Sequence, residues 1–239
     1  NQSEIVISKT NWRGTEVNVY NEDLVLLNNF QLDFKTPISL KVGDVYNNGR
    51  EKIVIGSPAN TEPKVYIYDS KGTLLNSFLV YNEKFRGGVS VAIGDIDGDY
   101  RNEIITAPAG SGGPHIRMFD KNGGLKAQFF AGNKDFRGGL NIAVGNLSGD
   151  KKAEILVTPK KDSSPYVLIY DLNGNLISNF LAYTKNFKKE VSIEIADINS
   201  DYHNDIIVSA GAGGGPHIRV FDLQGNLIKQ FFAYNKYNL

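Results

Sequence analysis

The chain has 239 residues, with 26 lysines and arginines against 26 aspartates and glutamates, and no cysteine. Zero formal charge, without a basic block or stripe, argues against nucleic acid or an anionic membrane surface as the main partner. The lack of cysteine excludes disulfides, thiolate metal sites and a cysteine nucleophile but leaves the compartment open. No apolar run approaches a membrane span and no signal peptide is visible, so the expectation is a mature protein or an excised domain.

In chain order a partial unit comes first: Ile5 and Val6, Val17 to Tyr20 and Phe30 stand 48 residues before Ile53 and Val54, Val65 to Tyr68 and Phe78. Four full units follow, opened by Phe34, Phe85, Phe136 and Phe187 at intervals of 51 residues. A period of that size marks a propeller or solenoid, in which each repeat buries its apolar face against its neighbours. The expected divisions of this single domain are a partial blade at 1–33 and blades at 34–84, 85–135, 136–186 and 187–239.

Within a unit, four strands are predicted. In the second, Val89, Val91 and Ile93 alternate with Ser90, Ala92 and Gly94, which is the period of two of a strand with one bulky and one small face. The sets Leu140, Ile142, Val144 and Val191, Ile193, Ile195 repeat it, and the small face suits an innermost strand near an axis. After a polar loop, a second strand is predicted at Glu103 to Ala107, matched by Lys52 to Gly56, Glu154 to Thr158 and Asp205 to Ser209. A third follows at His115 to Phe119 and a fourth at Leu125 to Phe130. Between these two, every full unit has Asp-x-x-Gly (Asp69 and Gly72, Asp120 and Gly123, Asp171 and Gly174, Asp222 and Gly225), the chemistry of a type I hairpin turn.

Four strands per unit with no helical period predict an all-β fold, a β-propeller of four full blades plus one partial blade, five in all. WD40 repeats are shorter and carry Trp-Asp, and kelch repeats need a Trp per blade, whereas this chain has only Trp12. The opening unit lacks an inner strand. Either five blades close with one incomplete, or the chain is cut from a longer propeller, and the cut is the preferred expectation.

The loop between the first two strands carries the chemistry. In the second unit it places Asp95, Asp97, Asp99, Arg101 and Glu103 at positions 1, 3, 5, 7 and 9, and in the fourth unit Asp197, Asn199, Asp201, His203 and Asp205. Oxygen side chains at 1, 3, 5 and 9, with the position-7 carbonyls of Arg101 and His203, suit a hard cation such as Ca²⁺. An EF-hand would need Gly at position 6, Glu at position 12 and flanking helices. Here those positions hold Tyr100 and Thr106, or Tyr202 and Val208, between strands. The competing reading, an acidic turn without metal, is disfavoured because clustered acids repel one another without a cation. The third unit has Asn146, Ser148, Asp150 and Glu154, either a weaker site or a plain turn. The first has Asp44, Tyr46, Asn48 and Lys52, and an ammonium at position 9 predicts an empty loop.

The string from Ser90 to Pro108 resembles the FG-GAP repeat of integrin α-subunit propellers and the related VCBS-type repeats of bacterial surface proteins. The match is in outline across the full units and specific in the second and fourth. The resemblance implies a propeller with calcium in these loops, extracellular or on the cell surface, used for adhesion or ligand binding. Tyr100 and Tyr202 stand where the family commonly has Gly, and a positive φ there would cost about 1 kcal/mol.

The segments Gly110 to His115 and Gly211 to His217 lack the lysine and helix of a phosphate loop and are expected to be tight turns. His115 and His217 stand apart from any nucleophile pattern and are expected to be structural. Arg86-Gly-Gly and Arg137-Gly-Gly are expected to join blades, and the aromatics Tyr81, Tyr183, Phe129, Phe130, Phe231 and Phe232 to pack between them. The expected function is a noncatalytic recognition or adhesion module with a protein or glycan ligand at the cell surface. A lectin on the same fold is the alternative, and a polysaccharide-acting enzyme is the third reading. Oligomeric state is not legible.

Overall fold

A computed structural model describes residues 4–201 and 203–234. The opening sheet has three strands, β1 (Ile5–Asn11), β2 (Gly14–Tyr20) and β3 (Leu26–Leu32). The first unit carries β4 (Ser39–Gly43), β5 (Lys52–Gly56), β6 (Lys64–Tyr68) and β7 (Leu74–Leu79). The second carries β8 (Val89–Gly94), β9 (Glu103–Pro108), β10 (His115–Phe119) and β11 (Leu125–Phe130). The third is β12 (Leu140–Gly145), β13 (Glu154–Pro159), β14 (Tyr166–Tyr170) and β15 (Leu176–Leu181), and the fourth β16 (Val191–Ala196), β17 (Asp205–Ala210), β18 (His217–Phe221) and β19 (Leu227–Phe232).

Each sheet is an antiparallel meander of consecutive strands, and together the five make a β-propeller. The first strand of each four-stranded unit faces the axis, as its small-residue face requires. The second strands of the last three units run one residue further than the sequence predicts, because Pro108 stays paired with Val89 at the end of its ladder. A terminal proline is tolerated where no further N–H is needed. The Asp-x-x-Gly turns form as expected: Asp69 Oδ1 accepts the amides of Lys71 and Thr73 at 3.0 and 2.8 Å. Gly72 takes φ +82°, and the register shifts at Ile67/Tyr68, a type I turn closed by a bulge.

The core lies between sheets rather than within them. Ile105, Ile116 and Met118 of the second unit pack with Ile142, Ile155 and Val157 of the third, and equivalent clusters join the third to the fourth, the first to the second and the opening sheet to the first. Each inner strand adds polar bonds to the next at one place. Ser39 Oγ accepts the Val91 amide at 3.0 Å, Ser90 Oγ donates to the Leu140 carbonyl at 2.7 Å, and Asn141 Nδ2 donates to the Val191 carbonyl at 2.9 Å.

Two positions of the small face depart from the rule. Lys41 and Glu194 stand where the middle units have Ala92 and Ala143, and they pair with each other across the axis. The opening sheet contributes no inner strand among the described residues, and this pair spans β4 and β16 where that strand's neighbours would otherwise be separated. Being partly exposed, it contributes at most about 1 kcal/mol.

The glycines that end the first three inner strands are set by the next blade. A Cβ on Gly94 would lie 2.4 Å from Val144 Cγ1, and on Gly145 2.8 Å from Ile195 Cγ2. Gly94→Ala is therefore expected to destabilise by about 1–3 kcal/mol through overpacking, seen as a lower urea midpoint; an unchanged midpoint would show that the blades are not in contact there.

Candidate metal centre

The loops between inner and second strands share one frame. Position 2 is apolar and buried in three of them, Val45, Ile96 and Leu147; in the second, third and fourth loops its amide is held by the side chain at position 9, whereas the Val45 amide donates to the Gly43 carbonyl. Glu103 Oε2 accepts the Ile96 amide at 3.2 Å, Glu154 Oε2 that of Leu147 at 2.7 Å, and Asp205 Oδ2 that of Ile198 at 3.3 Å. These three acids are only 2–5% exposed. Position 4 is left-handed in all four loops, at Asn47, Gly98, Gly149 and Ser200, residues that tolerate or accept that conformation.

In the second loop Asp95 curls the backbone around itself. Its Oδ1 accepts the amides of Gly98 and Asp99 at 2.7 and 3.1 Å, and its Oδ2 that of Tyr100 at 2.7 Å. Asp99 Oδ1 accepts the Arg101 amide at 2.8 Å. Tyr100 takes φ +65°, the left-handed conformation at position 6 that the sequence raised as a condition, and the cost to a non-glycine is about 1 kcal/mol. Asp95, Asp97 and Asp99 each bring a carboxylate oxygen within 4.8 Å of the others. Among the described residues this convergence occurs at the second loop alone.

The sequence did not single out Lys126. Its Nζ lies 2.6 Å from Asp97 Oδ2 and 2.7 Å from Glu103 Oε1, joining positions 3 and 9 of the loop. Burial pulls its pKa down, but the hydrogen bonds to Asp97 and Glu103 outweigh this and hold the ammonium well above its usual range. Glu103 is also displaced upward: burial lifts its pKa, with Lys126 only partly opposing. The visible signal was positional, since the equivalent outer-strand residues are Leu75, Ile177 and Ile228.

The other loops differ as the sequence suggested in part. In the first, Lys52 is buried and its Nζ donates to the carbonyls of Arg50 and Glu51 at 2.6 and 3.2 Å. A cation thus sits against the position-7 carbonyl. In the third, Asn146 Oδ1 accepts the Gly149 amide at 2.8 Å and Asp150 Oδ1 that of Lys152 at 2.7 Å, while Ser148 is exposed. In the fourth, Asp197 Oδ1 accepts the Ser200 amide at 2.7 Å, Asn199 Nδ2 donates to Asp201 Oδ2 at 2.9 Å, and Asp201 Oδ1 accepts the His203 amide at 2.8 Å. That last bond holds the Asp201 carboxyl below its usual range. Tyr202 lies outside the described residues.

Consecutive loops are also tied together. Asn102 Nδ2 donates to the Asp44 carbonyl at 3.2 Å, the Ala153 amide to the Asp95 carbonyl at 2.8 Å, and Asn204 Nδ2 to the Asn146 carbonyl at 2.8 Å. In each case position 8 of one blade binds position 1 of the blade before it. Beside the second loop lies a polar cleft of about 490 Å³, lined by Tyr46, Asp99, Asn102, Asp120, Asn122 and Lys126 among others.

His115 and His217 are packing residues in this frame, stacked on Phe130 and Phe232 at 4.5 and 4.8 Å between ring centroids. Arg86 and Arg137 bond the carbonyls of their own connecting segments.

No protein-family model matches this sequence, nor does any curated protein. Solved structures are similar in fold. A protein of unknown function from Bacteroides caccae aligns over 98% of this chain and 74% of its own, with a TM-score of 0.61 at 11% identity. An exotype rhamnogalacturonan lyase, YesX, aligns over 96% of this chain and 46% of its own, with a TM-score of 0.55 at 15% identity. The Dos1 propeller aligns over 93% and 66%, with a TM-score of 0.52 at 13% identity. The chain is thus a five-bladed β-propeller, and at these identities the likeness extends to the fold.

The position-9 carboxylate is expected to be structural in its own right. Glu103→Ala leaves the buried Ile96 amide without its acceptor and should cost about 1–3 kcal/mol in chelator-treated protein, while Glu103→Gln should cost less. Equal urea midpoints for the parent and Glu103→Ala would contradict this role.

Proposed function

We propose that the chain is a noncatalytic, calcium-binding recognition propeller of the FG-GAP/VCBS type, exported or displayed at a cell surface. The observation that carries this reading is the convergence of Asp95, Asp97 and Asp99 around a loop closed by buried Glu103. Carboxylates gathered this closely favour a cation, and short oxygen-rich loops are what Ca²⁺ takes. Residues offering oxygens are Asp95, Asp97, Asp99, Glu103 and the Arg101 carbonyl, and in the fourth loop Asp197, Asn199, Asp201, Asp205 and the His203 carbonyl. Calcium would supply charge neutralisation and rigidity, and the chemistry asked of it is structural. By joining position 1 to position 9 it would pin β8 to β9 and β16 to β17, stiffening a rim that presents loops to a partner.

Lys126 modifies this reading at the second loop. Its ammonium already bridges Asp97 and Glu103, so a divalent ion entering there must displace it. The fourth loop has Ile228 at the corresponding place and is the stronger candidate, even though its acids are less converged. Extracellular modules bind calcium with Kd of roughly 10⁻⁴ to 10⁻³ M, and the same range is expected here.

A second reading, a glycan-binding lectin, is favoured by the polar cleft beside the second loop, where Tyr46 offers a ring face and Asn102, Asp120 and Asn122 offer hydrogen-bonding groups. A glycan array separates it from protein recognition. YesX is a lyase on a related fold, and this chain spans 46% of it; propellers host unrelated activities.

Chelation is expected to lower the melting temperature, and Asp97→Ala and Asp201→Ala each to remove part of that shift. A thermal scan indifferent to chelator would overturn the calcium reading. Lys126→Met should destabilise the chelated protein, by leaving Glu103 and Asp97 without their ammonium, yet tighten divalent binding at the second loop by about tenfold, the equivalent of about 1.4 kcal/mol. Unchanged affinity in this variant would show that the ammonium and the ion do not compete.

A further inference from the structure

The junctions between full units are built alike, with one exception. Where the first unit meets the second, Tyr81 lies 5.6 Å from Phe85 between ring centroids, its hydroxyl donates to the His115 carbonyl at 2.8 Å, and the Arg117 guanidinium sits 5.9 Å from its ring. Arg117 also bonds the Val80 carbonyl. Where the third meets the fourth, Tyr183 repeats the arrangement: 5.5 Å from Phe187, donating to the His217 carbonyl at 2.5 Å, with Arg219 at 5.6 Å from its ring. Arg219 Nη1 donates to the Ala182 carbonyl at 2.7 Å. Burial raises the pKa of both phenols, that of Tyr183 to about 12.

Between them, at the junction of the second and third units, the repeat places Gly132 and Leu168 where its neighbours have tyrosine and arginine. The space is not collapsed. It is a cavity of about 320 Å³ whose wall includes Gly132, Phe136, Val157, Tyr166 and Leu168. Each stands, 51 residues before or after, at the place of a residue around Tyr81 or Tyr183: Phe136 for Phe85 and Phe187, Val157 for Thr106 and Val208, Tyr166 for His115 and His217. The backbone at Gly132 takes φ +69°, a conformation L side chains rarely adopt, so the chain does not fill the site from this position. Asn133 and Asp135 are exposed at the mouth, with Ser163 partly so.

We propose that this cavity is a binding site for a phenolic ring supplied from outside the chain. The scaffold holds a phenol at the two sister positions, with an aromatic ring beside it and a strand-end carbonyl that accepts its hydrogen bond. Here the carbonyl of Tyr166 occupies the place of the accepting carbonyls of His115 and His217. The apolar wall of Phe136, Leu140, Val157 and Leu168 gives a ring the burial that drives binding, and the carbonyl selects a ring bearing a hydroxyl. This site lies at the ends of β12 and β13 opposite to the loop that joins them and does not depend on a metal in the carboxylate loops.

The test uses 4-methylphenol, the tyrosine side chain without its backbone, titrated into the intact protein and followed by NMR shifts. Saturable binding is expected, with Kd on the order of 1 mM for a ligand of this size, and the largest shifts at Phe136 and Leu168. Toluene should bind at least about fivefold more weakly, reflecting the lost hydroxyl bond. Ser163→Trp, a substitution at the mouth that leaves the core intact, should weaken 4-methylphenol by a similar factor or more. N-acetyltyrosinamide distinguishes the sources: binding comparable to 4-methylphenol supports a tyrosyl side chain on a partner, and its exclusion supports a free phenol. No saturable 4-methylphenol binding, toluene binding equally well, or a Ser163→Trp protein that binds as the parent does would each overturn the proposal.

Discussion

A buried ionic group at the ninth place of each inter-strand loop must be satisfied, and much of this molecule is arranged around that need. Glu103, Glu154 and Asp205 are nearly inaccessible, and a carboxylate in that condition is costly unless it is bonded and its charge balanced. The amide of position 2 supplies the bond in each case. It also fixes where the inner strand ends and the second begins. At Glu103 an ammonium completes the balance, and at Lys52 the group itself is the cation, satisfied by carbonyls. The loops are variations on one electrostatic problem: an ammonium meets the acid in the second, a lysine replaces it in the first, and a backbone amide bonds it in the third and fourth.

This local constraint reaches the whole propeller because the blades are coupled in series. A repeat array of this kind is stabilised by its nearest-neighbour interfaces, and here each interface has three parts. Bulky residues of adjacent sheets interdigitate, small polar residues bond inner strand to inner strand near the axis, and the eighth loop residue reaches the first loop residue of the preceding blade. An ion that stiffened one loop would therefore act on its neighbour as well. The opening sheet, with no inner strand among the described residues, takes part only in the first of these. Lys41 and Glu194 meet across the axis near that gap.

Much of this was legible in the sequence, because period and alternation report backbone geometry directly. Val89, Val91 and Ile93 define a strand whatever surrounds them, and Asp69 with Gly72 defines its turn. The oxygen pattern of Asp95, Asp97, Asp99 and Glu103 also exposed the candidate site, and the positive φ at Tyr100 was posed as a condition of the same pattern. What escaped was any substitution whose meaning lies in three dimensions. Lys126 belongs to an outer strand, and its ammonium meets the loop because the β8–β9 and β10–β11 connections share one end of the antiparallel sheet. Gly132 looked like one more glycine in a glycine-rich chain until the tyrosines on either side of it showed what the position normally holds. In a repeat protein the departures from the period carry the specific information, and their partners are set by packing.

Calorimetric titration of calcium into chelator-treated protein tests the central claim most directly, since it reads the ion and the loops without an intermediary. The expected result is saturable binding with Kd of roughly 10⁻⁴ to 10⁻³ M. A trace with no saturable heat at millimolar calcium, from protein that remains folded, would contradict it and leave these loops as self-capped acidic turns.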